Sequence, residues 1–290
     1  MRLNKLNDNV YYSDFISEGD RPVLGLIVGE EASLIVDGGN SKAHIESFIE
    51  EAKKVATSPI KYMVITHWHW DHIFGIHWAK ELLGITPICN DLTNKKISYL
   101  KTLKWTEEDI SKRVETGEEI EFCKEHMLIE LPDLKNIEID TCSITFKEKI
   151  EIDLGSVKCN ISQIISDHSE DCSIVEVKGK EKVVFLGDCL YLDMYNGPWS
   201  FTREKLYPML ENLLYLDAKW YIPSHHGMYS KNGFEGYAKY LIGIGEIVGN
   251  LTDEYEAYEA YEKYKLRSIT DNEKEDINSF IKGNVKKGRW

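Results

Sequence analysis

Thr66-His67-Trp68-His69-Trp70-Asp71-His72 follows directly on the apolar run Tyr62-Met63-Val64-Ile65. Four side chains that bind metals fall within six residues, at the end of a segment that reads as a buried strand. Inside a strand they would alternate between faces, so a strand cannot aim all four at one place. A loop leaving the strand end can, with His67 and His69 converging on one point and Asp71 and His72 on another beside it. Two adjacent metal ions, and with them metal-assisted hydrolysis, are the chemistry this spacing points to. The chain has nine histidines, and three of them lie between positions 67 and 72. As core residues, three imidazoles and a carboxylate would need many hydrogen-bond partners in a small volume.

The run resembles the H-x-H-x-D-H signature of the metallo-β-lactamase-fold hydrolases, the glyoxalase II and lactonase-like branches in particular. Thr66 before the first His fits the pattern, whereas Phe74 stands where the family often has a first glycine before Gly75. The resemblance implies three further ligands, each at a strand end. His168, in Gln163-Ile164-Ile165-Ser166-Asp167-His168-Ser169, corresponds to the family's Gly-His-Thr segment, with Asp167 replacing Gly. Asp188 closes Val183-Val184-Phe185-Leu186-Gly187 and matches the bridging Asp; so apolar a strand end makes a carboxylate costly unless a cation meets it. His225, in Pro223-Ser224-His225-His226-Gly227, matches Pro-Gly-His-Gly, with the neighbouring His226 open as the alternative ligand.

By the same resemblance, His67, His69 and His168 hold one metal, Asp71, His72 and His225 hold a second, and Asp188 bridges them. Imidazole and carboxylate ligands suit zinc, and equally iron or manganese. The implied fold is an α/β metallo-β-lactamase-like αββα sandwich: two mixed β-sheets flanked by helices, with a helical insertion and C-terminal helices. Cys189, beside Asp188, reads as core packing rather than a thiolate ligand.

Length and charge set the frame. The chain has 290 residues and a formal net charge of −14. That balance speaks against a nucleic-acid surface, and the small basic cluster Lys286-Lys287 with Arg289 reads as a solvated tail. The six cysteines form no C-x-x-C pair, as expected of reduced core residues. The first residues are followed by polar ones rather than an apolar stretch, and no run reaches membrane-spanning length. A cytoplasmic protein acting on a small molecule, without nucleic-acid or membrane partners, is the expectation.

Strands are expected at Val10-Tyr12, Leu24-Val28 and Ser33-Val36, with a helix capped by Ser41 running to Val55. Asp37 reads as a loop-fixing residue near the site. After the metal run, a helix is expected from His72 to Leu83, stopping at Gly84, with His77 in a packing or surface role. Residues from about 91 to 140 form a charged, mostly helical insertion, either a lid over the site or a cover for the core. The main domain is taken as 1–233, with 234–290 a helical extension on it. There, Tyr255, Tyr258, Tyr261 and Tyr264 recur every three residues. They read as a packing stripe, with a homodimer contact or a pocket wall as the other roles.

The resemblance implies a dinuclear metal-dependent hydrolase of an ester, thioester or lactone, acting through a metal-bridging hydroxide. Asp71 would orient the water and shuttle its proton. Tyr191, three residues after Asp188 as in lactonases of this fold, would donate to the oxyanion; its plainer role is an aromatic at a strand end. Trp68, Trp70 and Trp199 are either pocket walls or core. The alternatives are a mononuclear iron oxidoreductase like the persulfide dioxygenases, a β-lactamase, or a metal-binding regulatory protein without turnover.

Overall fold

Each half of the chain builds one sheet, because its apolar runs are short, rich in Val and Ile, and separated by turn residues. A computed structural model describes residues 1–287. Strands β1 Leu3–Lys5, β2 Val10–Ser13, β3 Gly25–Val28, β4 Ser33–Val36, β5 Ile60–Ile65, β6 Thr86–Asn90 and β7 Ile144–Phe146 lie side by side in chain order. The first four pair antiparallel, and β4 to β7 pair parallel. The second sheet runs β8 Lys149–Asp153, β9 Lys158–Gln163, β10 Ser173–Lys178, β11 Val183–Gly187, β12 Trp220–Pro223 and β13 Tyr229–Ser230. Only its β11–β12 pair is parallel.

Helices cover both outer faces. α1 Lys42–Val55, α2 Trp70–Ile73 and α3 Ile76–Leu83 pack on the first sheet, burying Ile45, Phe48 and Ala79 against Leu26, Ile35 and Met63. α4 Asp91–Leu100, α5 Glu107–Thr116 and α6 Glu121–Glu130 form the insertion. α7 Arg203–Tyr215, α8 Lys231–Val248, α9 Glu254–Lys265 and α10 Asp271–Lys287 cover the second sheet, with Leu210, Leu241 and Phe280 in one cluster with Val184, Leu186 and Tyr221. Between the sheets lie Ile27, Leu34, Val64, Val175, Phe185 and Ile222. Leu26 faces the helices and Ile27 the opposite sheet, as a period of two requires. Strands buried on both faces explain why these runs are apolar throughout rather than alternating. The result is the expected αββα sandwich.

Four expectations change in detail. The helix from His72 to Leu83 is broken at Phe74 and Gly75 into α2 and α3. The cause is the loop Asp37-Gly38-Gly39, which packs against the break: a Cβ on Gly75 would lie 1.9 Å from Gly38 O. The tyrosine stripe does not pack as one. Tyr261 is buried, whereas Tyr255 and Tyr264 are 84% and 69% exposed. Each step of three residues turns a side chain back by about 60°, so the stripe winds around α9. Nor is Lys286 a solvated tail residue, since it pairs with buried Asp193; Lys287 is exposed and pairs with Glu204 on the surface, while Arg289 lies outside the described residues. Finally, the insertion is both cover and wall. Ile110, Cys123, Met127 and Leu134 join the first core cluster, while Phe122 and Cys123 line the cavity over the metal-binding cluster. Glu130 anchors it, accepting from Arg21 through both carboxylate oxygens at 2.9 Å and from the Ser41 hydroxyl. Among the described residues, no helix is long and apolar enough to cross a membrane.

Candidate metal centre

The strand ends of both sheets meet along one edge. β5 runs into Thr66, whose carbonyl accepts from Ser173 N on β10 at 2.8 Å. β11 ends at Gly187, with φ at +52°, where a Cβ would lie 2.7 Å from the Thr66 side chain. Only glycine lets β11 deliver Asp188 so close to the His67 loop.

All seven predicted ligands come together there. His168 Nε2 lies 2.9 Å from His69 Nδ1 and 3.3 Å from His67 Nε2. His168 Nδ1 donates to Leu192 O at 3.1 Å, so its Nε2 carries a bare lone pair into the cluster. The second group joins His72 Nε2 to Asp71 Oδ2 at 3.0 Å and His225 Nε2 to Asp71 Oδ2 at 3.2 Å. Asp188 belongs to both groups: Oδ2 is 3.4 Å from His168 Nε2 and 3.2 Å from His225 Nε2, and Oδ1 is 3.4 Å from His72 Nε2. Of the adjacent histidines, His225 enters the cluster. His226 turns away, its Nδ1 2.7 Å from Tyr191 Oη and its Nε2 2.9 Å from Tyr229 Oη.

The donor set fits metal ions. Asp71 Oδ2, His72 Nε2 and Asp188 Oδ1 are buried, with His72 Nε2 3.0 Å from Asp71 Oδ2 and 3.4 Å from Asp188 Oδ1, yet none has a well-aligned hydrogen-bond partner. Imidazole lone pairs that face one another repel unless a cation or a proton lies between them. Among the described residues, two groups qualify: His67, His69, His168 and Asp188, and Asp71, His72, Asp188 and His225. In the protein alone, burial pushes His67, His69 and His168 down, keeping these rings neutral as ligation needs. Burial also acts against His72 and His225, but the surrounding carboxylates win and hold both well above the usual range. Asp71 and Asp188 are held well below theirs by those two rings, despite burial.

Outer partners orient the ligands. His72 Nδ1 lies 2.9 Å from Asp37 Oδ2, and Asp37 also accepts from Thr66 N at 2.7 Å and from its hydroxyl at 3.0 Å. His225 Nδ1 lies 3.1 Å from Asp20 Oδ1. Both aspartates have positive φ, at +65° and +54°. Asp37 was expected near the site; Asp20 was not, since nothing in its sequence neighbourhood marks it. Tyr195 was also missed. Its ring packs 5.0 Å from that of His69, and its hydroxyl donates to Glu119 at 2.8 Å, tying the insertion to the site.

The other predicted residues are distributed more plainly. Trp70 is core and Cys189 is core, while Trp199 lines the cavity and Trp68 donates to Ser169 Oγ at 3.0 Å. His77 pairs with Asp140 at 3.3 Å on the surface of α3. Asp167 accepts from Thr202 N and Oγ1, both at 2.7 Å, fixing the loop that follows Asp188.

The sequence model of the metallo-beta-lactamase superfamily matches residues 21–225. The chain belongs to that superfamily. Solved structures agree on the fold. An archaeal metallo-beta-lactamase superfamily protein from Sulfolobus tokodaii aligns at a TM-score of 0.57 and 18% identity, over 96% of this chain and 98% of that one. The metallo-beta-lactamases from Pontibacter korlensis and Hirschia baltica align at 0.54 and 0.53, with 16% and 19% identity, over 82% of this chain and 97% and 95% of theirs. No curated protein sequence matches significantly.

Proposed function

We propose that this superfamily member is a dinuclear metal-dependent hydrolase of an ester, thioester or lactone. The observation that carries the reading is the pair of buried donor groups sharing Asp188 at the floor of a cavity. His67, His69 and His168 would hold one divalent ion, Asp71, His72 and His225 the other, and Asp188 both; zinc suits the donors. Two such ions would supply a nucleophilic water at neutral pH and a Lewis acid for the scissile carbonyl.

The chain's own residues do the rest. Asp71 accepts the proton of the attacking water and passes it to the leaving group. Tyr191 Oη accepts from His225 N at 2.9 Å. With the proton on His226 Nδ1, Tyr191 accepts a second hydrogen bond and turns its own hydrogen toward an oxyanion; with the proton on Nε2, it donates to His226 instead. Phe122, Tyr195 and Trp199 offer the acyl group apolar walls.

Assembly of the second group favours the hydrolase over a mononuclear iron oxidoreductase, which needs only the first. The test is a panel of esters, thioesters and lactones with zinc-, manganese- and iron-loaded protein. Hydrolysis that needs both metal equivalents and that Asp71→Ala lowers by about 10²–10⁴-fold supports the reading. Unchanged turnover in that variant, or oxygen uptake with iron alone, overturns it.

A further inference from the structure

A cavity of about 430 Å³ opens over Asp71, Asp188, His168 and His225. It lies within the range of small-ligand sites, roughly 300–1,000 Å³. Its walls are aromatic: Phe122 from α6, Tyr195, Trp199 and Phe201 from the loop after Asp188, and Tyr237 from α8. Phe122 and Trp199 meet edge to face, with centroids 5.8 Å apart.

α10 closes one side with Glu275 and Asp276. Asp276 accepts from Tyr240 Oη at 2.6 Å. Among the described residues, neither carboxylate has an ion-pair partner. The lysines on the same helix that do form pairs are engaged elsewhere, Lys274 with Asp271, Lys286 with Asp193 and Lys287 with Glu204. Burial pushes the Asp276 carboxyl up, with Glu275 and Glu273 adding to the rise against the Tyr240 hydrogen bond.

The two ends of the cavity therefore want opposite things. At the cluster, bound metal ions would attract a carbonyl oxygen. Along α10, two carboxylates beside aromatic faces attract a cation, through charge and through the ring quadrupoles. An anionic group there would meet like charge from both carboxylates.

We propose that this cavity selects substrates carrying an ammonium group on an apolar scaffold, with Glu275 and Asp276 as its counter-ions and Trp199 among the rings that flank it. The fate of the bound molecule rests on the hydrolase reading; its binding does not. For an ester, the C–O bond of the acyl group breaks, the hydroxyl of water joins the acyl carbon, and the alcohol leaves with a proton. The ammonium is unchanged.

Choline and its uncharged isostere 3,3-dimethyl-1-butanol separate the contributions, titrated calorimetrically into the metal-loaded full chain. Choline is expected to bind at least about tenfold more tightly, and the ratio to shrink to about threefold or less in Glu275→Gln/Asp276→Asn. Glu275→Lys, at an exposed helix position that leaves the core untouched, should abolish choline binding. Equal or tighter binding of the isostere by the unaltered protein, or a preference that survives both variants, overturns the proposal. The acetate esters of both alcohols complete the test. Selective choline binding without hydrolysis of either ester would refute the hydrolase reading while leaving the cation preference standing.

Discussion

Asp37→Ala removes a carboxylate that holds both a backbone and a ligand. Asp37 is 1% exposed, sits at φ +65°, accepts from Thr66 N at 2.7 Å, and lies 2.9 Å from His72 Nδ1. Orphaning the buried Thr66 N–H costs about 1–3 kcal/mol. Placing Ala in the left-handed region costs about 1–2 kcal/mol more, since Asp and Asn tolerate it better. The metal-free variant should therefore lose roughly 2–5 kcal/mol in urea denaturation. Its affinity for the second metal equivalent should fall about 10–100-fold, measured by competition with a chelating indicator. Asp37→Asn divides these effects. It keeps the left-handed tolerance and an oxygen for Thr66 N–H, so stability should fall by less than in Asp37→Ala. An amide brings no charge to His72, so the affinity loss should remain. If Asp37→Asn binds the second metal as tightly as the unaltered protein, or if Asp37→Ala weakens both equivalents alike, the argument for its role fails.

Acid stability tests His44, whose pKa is pushed down to about 3 by burial first and then by Arg21. In the unfolded chain a His titrates near 6.5, so a depressed folded value leaves stability whole above that pH and drains it as pH falls toward 3, by about 1.4 kcal/mol per unit. Metal-free His44→Leu should match the unaltered protein near pH 7.5 and exceed it by roughly 2 kcal/mol at pH 5 in urea titrations; a gap that does not widen on acidification contradicts this. Gly75→Ala should destabilise by more than about 3 kcal/mol in thermal unfolding, because its Cβ would lie 1.9 Å from Gly38 O and must displace the Asp37 loop. A change within about 0.5 kcal/mol would show that this loop moves freely.

The sandwich and the ligand cluster were legible because they are written locally. Tyr62 to His72 combines a buried strand with a loop whose ligand types have one common use, and Asp188 closes another such strand. What escaped depends on contacts distant in sequence. Asp20 reaches His225 across 205 positions, and Glu119 meets Tyr195 across 76. Neither pair leaves a periodicity or a motif. The break at Gly75 has the same origin, since the helix pattern is intact and only the approach of Gly38 forbids its continuation. For α9, the three-residue spacing was read as a stripe although a helix repeats at 3.6, and so only Tyr258 and Tyr261 pack on the second core.

Metal stoichiometry tests the central claim most directly. Inductively coupled plasma mass spectrometry on the unaltered protein, His168→Ala and His225→Ala, each saturated with zinc and desalted, reads the two groups separately. Two metals per chain for the unaltered protein and one for each variant are predicted, with Asp188→Ala below one. A single metal per chain that His168→Ala removes and His225→Ala leaves in place would contradict the dinuclear centre.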